Sequence, residues 1–289
     1  MSLHVTIVHA CRRAGRGGSP TAVVDETLLT AADRRTVPVA AGTSHAVFTS
    51  VEEHGPGRPA ASLRFFTAAG ELPACGHGTV AALAVLAERA QAREYEAVLR
   101  AGSRTFLGRA TGGDNRYEAV FDPGPVRLRT PAAAESEPVL AALGMDPAEA
   151  SAGCRIASVG RPRMLVQVAD RHALADLAPS MPRLRAACDR LGLLGCYVYS
   201  TPSPDGRAAA RMFAPSIGVP EDIANANSTA CLAAHLAGHG LSALDVDMGD
   251  SLGQPSTIAT IATRTRPGPA GPLIRVGGTA SIATGISLI

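Results

Sequence analysis

Arg64-Phe-Phe-Thr-Ala-Ala-Gly-Glu-Leu-Pro73 recurs as Arg211-Met-Phe-Ala-Pro-Ser-Ile-Gly-Val-Pro220. The arginine, the second phenylalanine and the proline keep one offset (64 to 211, 66 to 213, 73 to 220), about half of a 289-residue chain. Each copy runs through a short polar stretch into an apolar segment of small residues. The first is Thr79 to Ala90; the second is Ser228 to Ala237, with Gly238 and Gly240 as stop signals. Neither segment shows a polar face over its first turns. A helix that is apolar all round lies inside a domain, and alanine on every side lets a sheet wrap closely around it.

Around these helices, residues 3 to 9, 21 to 24, 46 to 50, 63 to 67, 117 to 121, 164 to 168, 197 to 200 and 274 to 276 read as short strands punctuated by Gly or Pro. Ser136 to Leu143 and Arg171 to Leu193 read as peripheral helices. A repeat this long is no solenoid; it is a duplicated domain. The fold class expected is α/β (α+β): two similar domains, each a curved barrel-like sheet around a central apolar helix. The Pro-rich stretch from Asp122 to Pro138 sets the division at 1–126 and 127–289, with the last strand free to return to the first domain. Small ligands commonly bind between domains.

Composition removes several functions. All 27 basic residues are arginine, so Schiff-base, pyridoxal-lysine and Gly-Lys-Ser/Thr phosphate-loop mechanisms are excluded. A net charge of +2 with 3% aromatics leaves neither a basic field nor stacking platforms for nucleic acid. No secretory leader and no long apolar run is visible, so no membrane association is expected. Six scattered cysteines without a Cys-x-x-Cys pair indicate a reduced, cytoplasmic chain.

Gly70-Glu-Leu-Pro-Ala-Cys-Gly-His-Gly-Thr79 resembles the PhzF-like phenazine-biosynthesis isomerase family, related to diaminopimelate epimerase and proline racemase. Val8-His-Ala-Cys11 through Gly17-Gly-Ser-Pro-Thr-Ala-Val-Val24 resembles its opening segment. Arg211 to Asp222 with Ala233-Ala-His235 resembles its second-half signature, and Gly253-Gln-Pro-Ser256 and Val276-Gly-Gly-Thr-Ala280 its closing motifs. The resemblance implies a diaminopimelate-epimerase-like fold with the active site between the halves, no cofactor, no metal and a homodimer. Two departures stand out. Where the family carries glutamate in Ser-Glu-Thr-Thr-Phe-Val, this chain has His45 in Ser44-His45-Ala-Val-Phe-Thr49. Where the family reads Glu-Asp-Pro-Ala-Thr-Gly-Ser-Ala, this chain reads Glu221-Asp-Ile-Ala-Asn-Ala-Asn-Ser228, losing a proline and a glycine. The two-cysteine racemases would also want a cysteine near Asn225.

The chemistry expected of the site follows. Helix starts at 75–79 and 225–229 turn unpaired N–H groups and positive dipole ends toward one cleft, which suits a small carboxylated substrate. Gly76, Gly78, Thr79, Asn227 and Ser228 are the expected binding residues, with Thr79 and Ser228 also capping their helices. His45 is the candidate general acid/base, against the plainer reading of a surface histidine on a strand end. His77, at a helix start, is expected to be neutral. Asp222 is its expected partner from the other half, and could equally be an ordinary acidic turn residue. Cys75, where the racemases carry a catalytic cysteine, is expected to have a lowered pKa, or else to be a small packed side chain. No recognised zinc spacing joins His45, Cys75, His77 and Asp222, and His235 and His239 lack the glutamate of His-Glu-x-x-His.

The function that the resemblance implies is proton or double-bond migration on a small amino or imino acid in specialised metabolism. A branch of the family acting on 4-alkylproline precursors of antibiotics is one model. Stereochemical inversion or hydroxyproline dehydration with Cys75 is a second reading, and a non-catalytic acid-binding protein a third.

Overall fold

The computed structural model describes residues 3–52, 58–150, 153–263 and 271–288. The first half contains β1 (Leu3–Arg12), β2 (Ser19–Asp25), α1 (Ala31–Ala40), β3 (His45–Glu52), β4 (Ala60–Thr67), β5 (Gly70–Leu72), α2 (Gly76–Arg89), β6 (Glu94–Ala101), β7 (Arg104–Gly113) and β8 (Arg116–Phe121). The second contains β9 (Arg127–Arg129), α3 (Ala133–Leu143), α4 (Pro147–Ala150), β10 (Arg155–Val159), β11 (Arg161–Val168), α5 (Arg171–Ala175), α6 (Met181–Leu191), β12 (Cys196–Ser200), β13 (Arg207–Ala214), β14 (Val219–Asp222), α7 (Ala226–Ala237), β15 (Ala243–Met248), β16 (Ser256–Thr263) and β17 (Leu273–Leu288). The stretch from Arg171 to Leu193 is two helices, because Pro179 and Pro182 interrupt it and Pro182 sits in the first turn of α6, where proline is tolerated.

The duplication is visible strand by strand. In the first half β2 and β3 are parallel, β3 and β4 antiparallel, and β4 is antiparallel to β5 but parallel to β6, which pairs antiparallel with β7. The same sequence of pairings links β11, β12, β13, β14, β15 and β16. The quoted repeat is the structural hinge of each copy. Arg64 on β4 makes a bidentate pair with Glu71 on β5 (2.9 and 2.8 Å), and its guanidinium lies over Phe66. Arg211 on β13 repeats this with Glu221 on β14 (3.0 and 2.8 Å) and Phe213. A planar fork on a carboxylate fixes both distance and direction, so each short hairpin delivers the chain to its helix in the same pose.

In the first half β1, β2, β3, β4, β6, β7 and β8 pair in turn, and β17 closes the ring by pairing with both β8 and β1. This closed barrel surrounds α2, whose residues from Gly76 to Ala87 are all buried. In the second half the sheet curves around α7, buried from Ala226 to Ala234. Burying an all-round apolar rod this way removes it from water without leaving a sheet face uncovered. No helix among the described residues is long and apolar enough to cross a membrane. The six cysteines are free and buried.

Candidate active site

The two buried helices meet tip to tip. A Cβ added at Gly76 would lie 2.6 Å from Ala226 Cβ and 3.0 Å from Asn227 N. Both helices start earlier than their propensities suggest, at Gly76 and Ala226, because barrel packing carries the helix through Gly-His-Gly and Asn-Ala-Asn. The capping expectation is thereby corrected. Thr79 is in the first turn, and its hydroxyl donates back to the Cys75 carbonyl (2.8 Å); Ser228 Oγ sits against Met212 Sδ. The N-caps are Asn225, whose Oδ1 accepts from the Ser228 N–H (3.0 Å), and Cys75, which offers no side-chain cap. The first amides of α2 therefore remain available at the gap. Gly76→Ala should force the tips apart and lower the unfolding free energy by about 1–3 kcal/mol, with Ala226→Gly restoring part of it in the double variant. Thermal denaturation of the four proteins checks this.

His45 opens β3, which is held between parallel β2 and antiparallel β4, and its side chain is buried rather than at a wet strand end. Ser44 Oγ meets its Nδ1 at 2.9 Å. Its ring stands edge-on to that of His77, with centroids 4.4 Å apart. His77 Nδ1 donates to the Ala224 carbonyl (2.7 Å), and Nε2 lies 3.4 Å from Cys75 Sγ. A fully buried histidine would ordinarily lose its proton. For His77 that penalty is outweighed by the neighbouring Cys75 and the Asp222 carboxylate and by hydrogen bonds to Cys75 and Ala224, and its pKa is pushed up to about 9. The expectation of a neutral His77 is overturned: the helix dipole is weaker than two acceptors facing the two ring nitrogens. His45 takes the opposite course. Burial first, then the His77 cation, holds its pKa well below the usual imidazole value.

Asp222 ends β14 and is also buried. Burial raises its pKa, although His77, Asn225 and the amides of Ala224 and Ile223 favour its charged form. Its Oδ2 accepts from Asn225 Nδ2 (2.9 Å), while Oδ1 has no hydrogen-bond partner among the described residues. His45, Cys75, Gly76, His77, Asp222, Asn225 and Asn227 all line one cavity of about 40 Å³, room for a few water molecules. Gly78, Thr79 and Ser228 do not line it. Gly78 instead packs under Phe65 and the Cys75 sulfur, where a Cβ would come within 3.1 and 3.0 Å.

Comparison with known proteins gives the family and the fold. Residues 13–285 match the family model described as phenazine biosynthesis-like protein, PhzC-PhzF. The chain belongs to the PhzC-PhzF family. An uncharacterized isomerase of Deinococcus radiodurans is 28% identical over 284 residues, covering 93% of this chain and 88% of that protein. Among solved structures, the Bacillus anthracis phenazine biosynthesis protein of the PhzF family superposes with a TM-score of 0.81 at 16% identity, covering 100% and 99% of the two chains. A hydroxyproline epimerase from Agrobacterium vitis, solved with trans-4-hydroxy-L-proline, superposes with a TM-score of 0.65 at 10% identity, covering 99% and 92%.

This PhzC-PhzF chain also places two arginines at the cavity that the motifs do not announce. Arg163 on β11 is buried, and its guanidinium reaches the Asn227 carbonyl (3.1 Å), Cys231 Sγ (3.1 Å) and the Arg161 carbonyl (2.8 Å), but no carboxylate among the described residues. Arg161 lines the same cavity. A buried cation without a counter-ion is costly unless an anion joins it, so the cavity is electrostatically incomplete in favour of an acid. Arg163 heads the apolar run Met164-Leu-Val166 two residues after Arg161 in β11, a pattern that marks a strand but not the site.

Proposed function

We propose that this protein is an acid–base isomerase that moves a proton, and with it a double bond, along one face of a small unsaturated amino or imino acid. The observation that carries the reading is that two histidines and a cysteine share one wall of the cavity. Ligand atoms of His45, Cys75 and His77 all lie within 4.8 Å of one another, on β3 and the start of α2. Across the gap, the second half offers the side-chain amides of Asn225 and Asn227 and the Asp222 carboxylate, whose Oδ2 accepts from Asn225. Inversion at carbon needs acid and base on opposite faces; migration along a conjugated system needs them on one.

In this mechanism the substrate carboxylate sits at the uncapped tip of α2 and at Asn227, within the field of Arg163. Neutral His45 takes the proton from the activated carbon, and the electron pair moves into the conjugated acid. Protonated His45 then stands beside cationic His77, an unfavourable pairing; it exchanges its proton with solvent and delivers one to the far end of the system. A five- or six-membered ring exceeds the cavity's volume of about 40 Å³, so binding enlarges the cavity. Relatedness to an uncharacterized isomerase and a fold shared with a hydroxyproline epimerase support the isomerase or epimerase class.

The test is NMR in deuterium oxide with unsaturated cyclic amino acids, dehydroprolines among them. The expected outcome is one deuterium at the new sp³ carbon, with none from His45→Ala. Equal incorporation by both proteins would remove His45 from the mechanism, and accumulation of both α-carbon configurations would favour two-base epimerisation.

A further inference from the structure

We propose that His45, Cys75 and His77 also form a three-ligand site for a zinc-class divalent ion, which blocks the isomerase site by taking the lone pairs that proton transfer uses. Sequence spacing hides this site because one ligand comes from β3 and two from the start of α2. Tetrahedral zinc, with bonds of about 2.0 Å to nitrogen and 2.3 Å to sulfur, sets neighbouring ligand atoms about 3.3–3.7 Å apart. Cys75 Sγ and His77 Nε2 already stand 3.4 Å apart, and all three ligand atoms fall within 4.8 Å. The His45 ring lies within the same 4.8 Å, so a small rotation of it completes the face.

Three further observations point to an ion. The Nδ1–H of His77 is held by the Ala224 carbonyl, which fixes the ring so that Nε2 faces the cavity, the outer-shell arrangement typical of metal-bound histidine. Ser44 Oγ holds Nδ1 of His45 and leaves Nε2 without a hydrogen bond among the described residues. Asp222 Oδ1, buried and also without a partner among those residues, lines the same cavity as an acceptor for a metal-bound water. Histidine at 45, in place of the glutamate of the family pattern, makes the set nitrogen, sulfur, nitrogen. That set suits zinc or cobalt and not magnesium or calcium. The site coincides with the proposed isomerase site, but it is read by metal binding without turnover, so either proposal can fail alone.

The experiment titrates the full-length protein with Co²⁺ and then Zn²⁺. One equivalent of cobalt should produce a near-ultraviolet thiolate-to-cobalt charge-transfer band and intense visible bands of a four-coordinate ion, both abolished by zinc. Cys75→Ser should lose the charge-transfer band. His45→Gln should weaken zinc by more than the roughly 10–100-fold that loss of an outer-shell partner costs. His235→Asn, which alters the other neighbouring histidine pair, should bind as the parent does. X-ray absorption of the zinc-loaded parent, which needs no variant to fold, should show one sulfur and two imidazoles. No binding, a cobalt spectrum without the thiolate band, undiminished affinity in His45→Gln, or a zinc shell without sulfur would each overturn the proposal.

Discussion

His45→Gln is expected to lower kcat by roughly 10²–10⁴-fold, the range over which a positioned acid–base group contributes. Glutamine is close in size to the imidazole and can still meet Ser44 Oγ, so the buried site stays filled and hydrogen-bonded. What it cannot do is accept a proton. Because His45 is held neutral beside the His77 cation, glutamine leaves no new uncompensated charge, and the unfolding midpoint should move little. His45→Glu separates chemistry from packing. A carboxylate there can carry a proton and would face the His77 cation across the 4.4 Å that now separates two rings. It should therefore recover part of the rate that glutamine loses. Steady-state kinetics with whichever acid supports deuterium exchange, alongside thermal denaturation, decides the matter. A folded His45→Gln protein with parental kcat would end the proposed mechanism.

The fold was legible because its two decisive features are local. The Arg–x–Phe spacing recurs because each copy must place a guanidinium over a phenylalanine and on a hairpin glutamate, and the all-apolar helices have to be enclosed. β6 is absent from the strands read from the sequence, although it alternates strictly: Tyr95, Ala97, Leu99 and Ala101 face inward while Glu94, Glu96 and Arg100 face out. Its small alanines mask that signal when only β-branched runs are sought. The site was legible in membership more than in state. Cys75, His77 and Asp222 are carried by motifs, but the protonation of His77 depends on Ala224, 147 residues away, and on Asp222 beside it. No local pattern encodes that meeting. Arg163 escaped for a related reason: whether a strand arginine points to water or to a helix tip is decided by the sheet's curvature, which only the folded chain has.

The ionisation of the two histidines makes the pH dependence of kcat/KM the sharpest remaining expectation. His45 must be neutral to accept a proton, and its pKa lies well below 6.5 through burial and the neighbouring cation. Activity should therefore persist through pH 6.5 and fall only under more acidic conditions. His77 must be protonated to drive the proton back from His45 and to steady developing negative charge. Burial opposes that state, yet Cys75, Asp222 and the Ala224 carbonyl hold its pKa at about 9, so activity should fall about tenfold per pH unit above that value. The sign extends to stability. A group raised from 6.5 to about 9 on folding contributes stability that is fully present below 6.5 and lost as pH rises through 9. His77→Asn keeps an amide N–H near the position of Nδ1 but carries no titratable proton. It should reduce the rate by about 10²-fold and remove the alkaline limb, leaving the acidic one in place. An acidic limb at the ordinary imidazole value, or an alkaline limb unchanged in His77→Asn, would mean that the paired histidines do not divide the work of base and cation in this way.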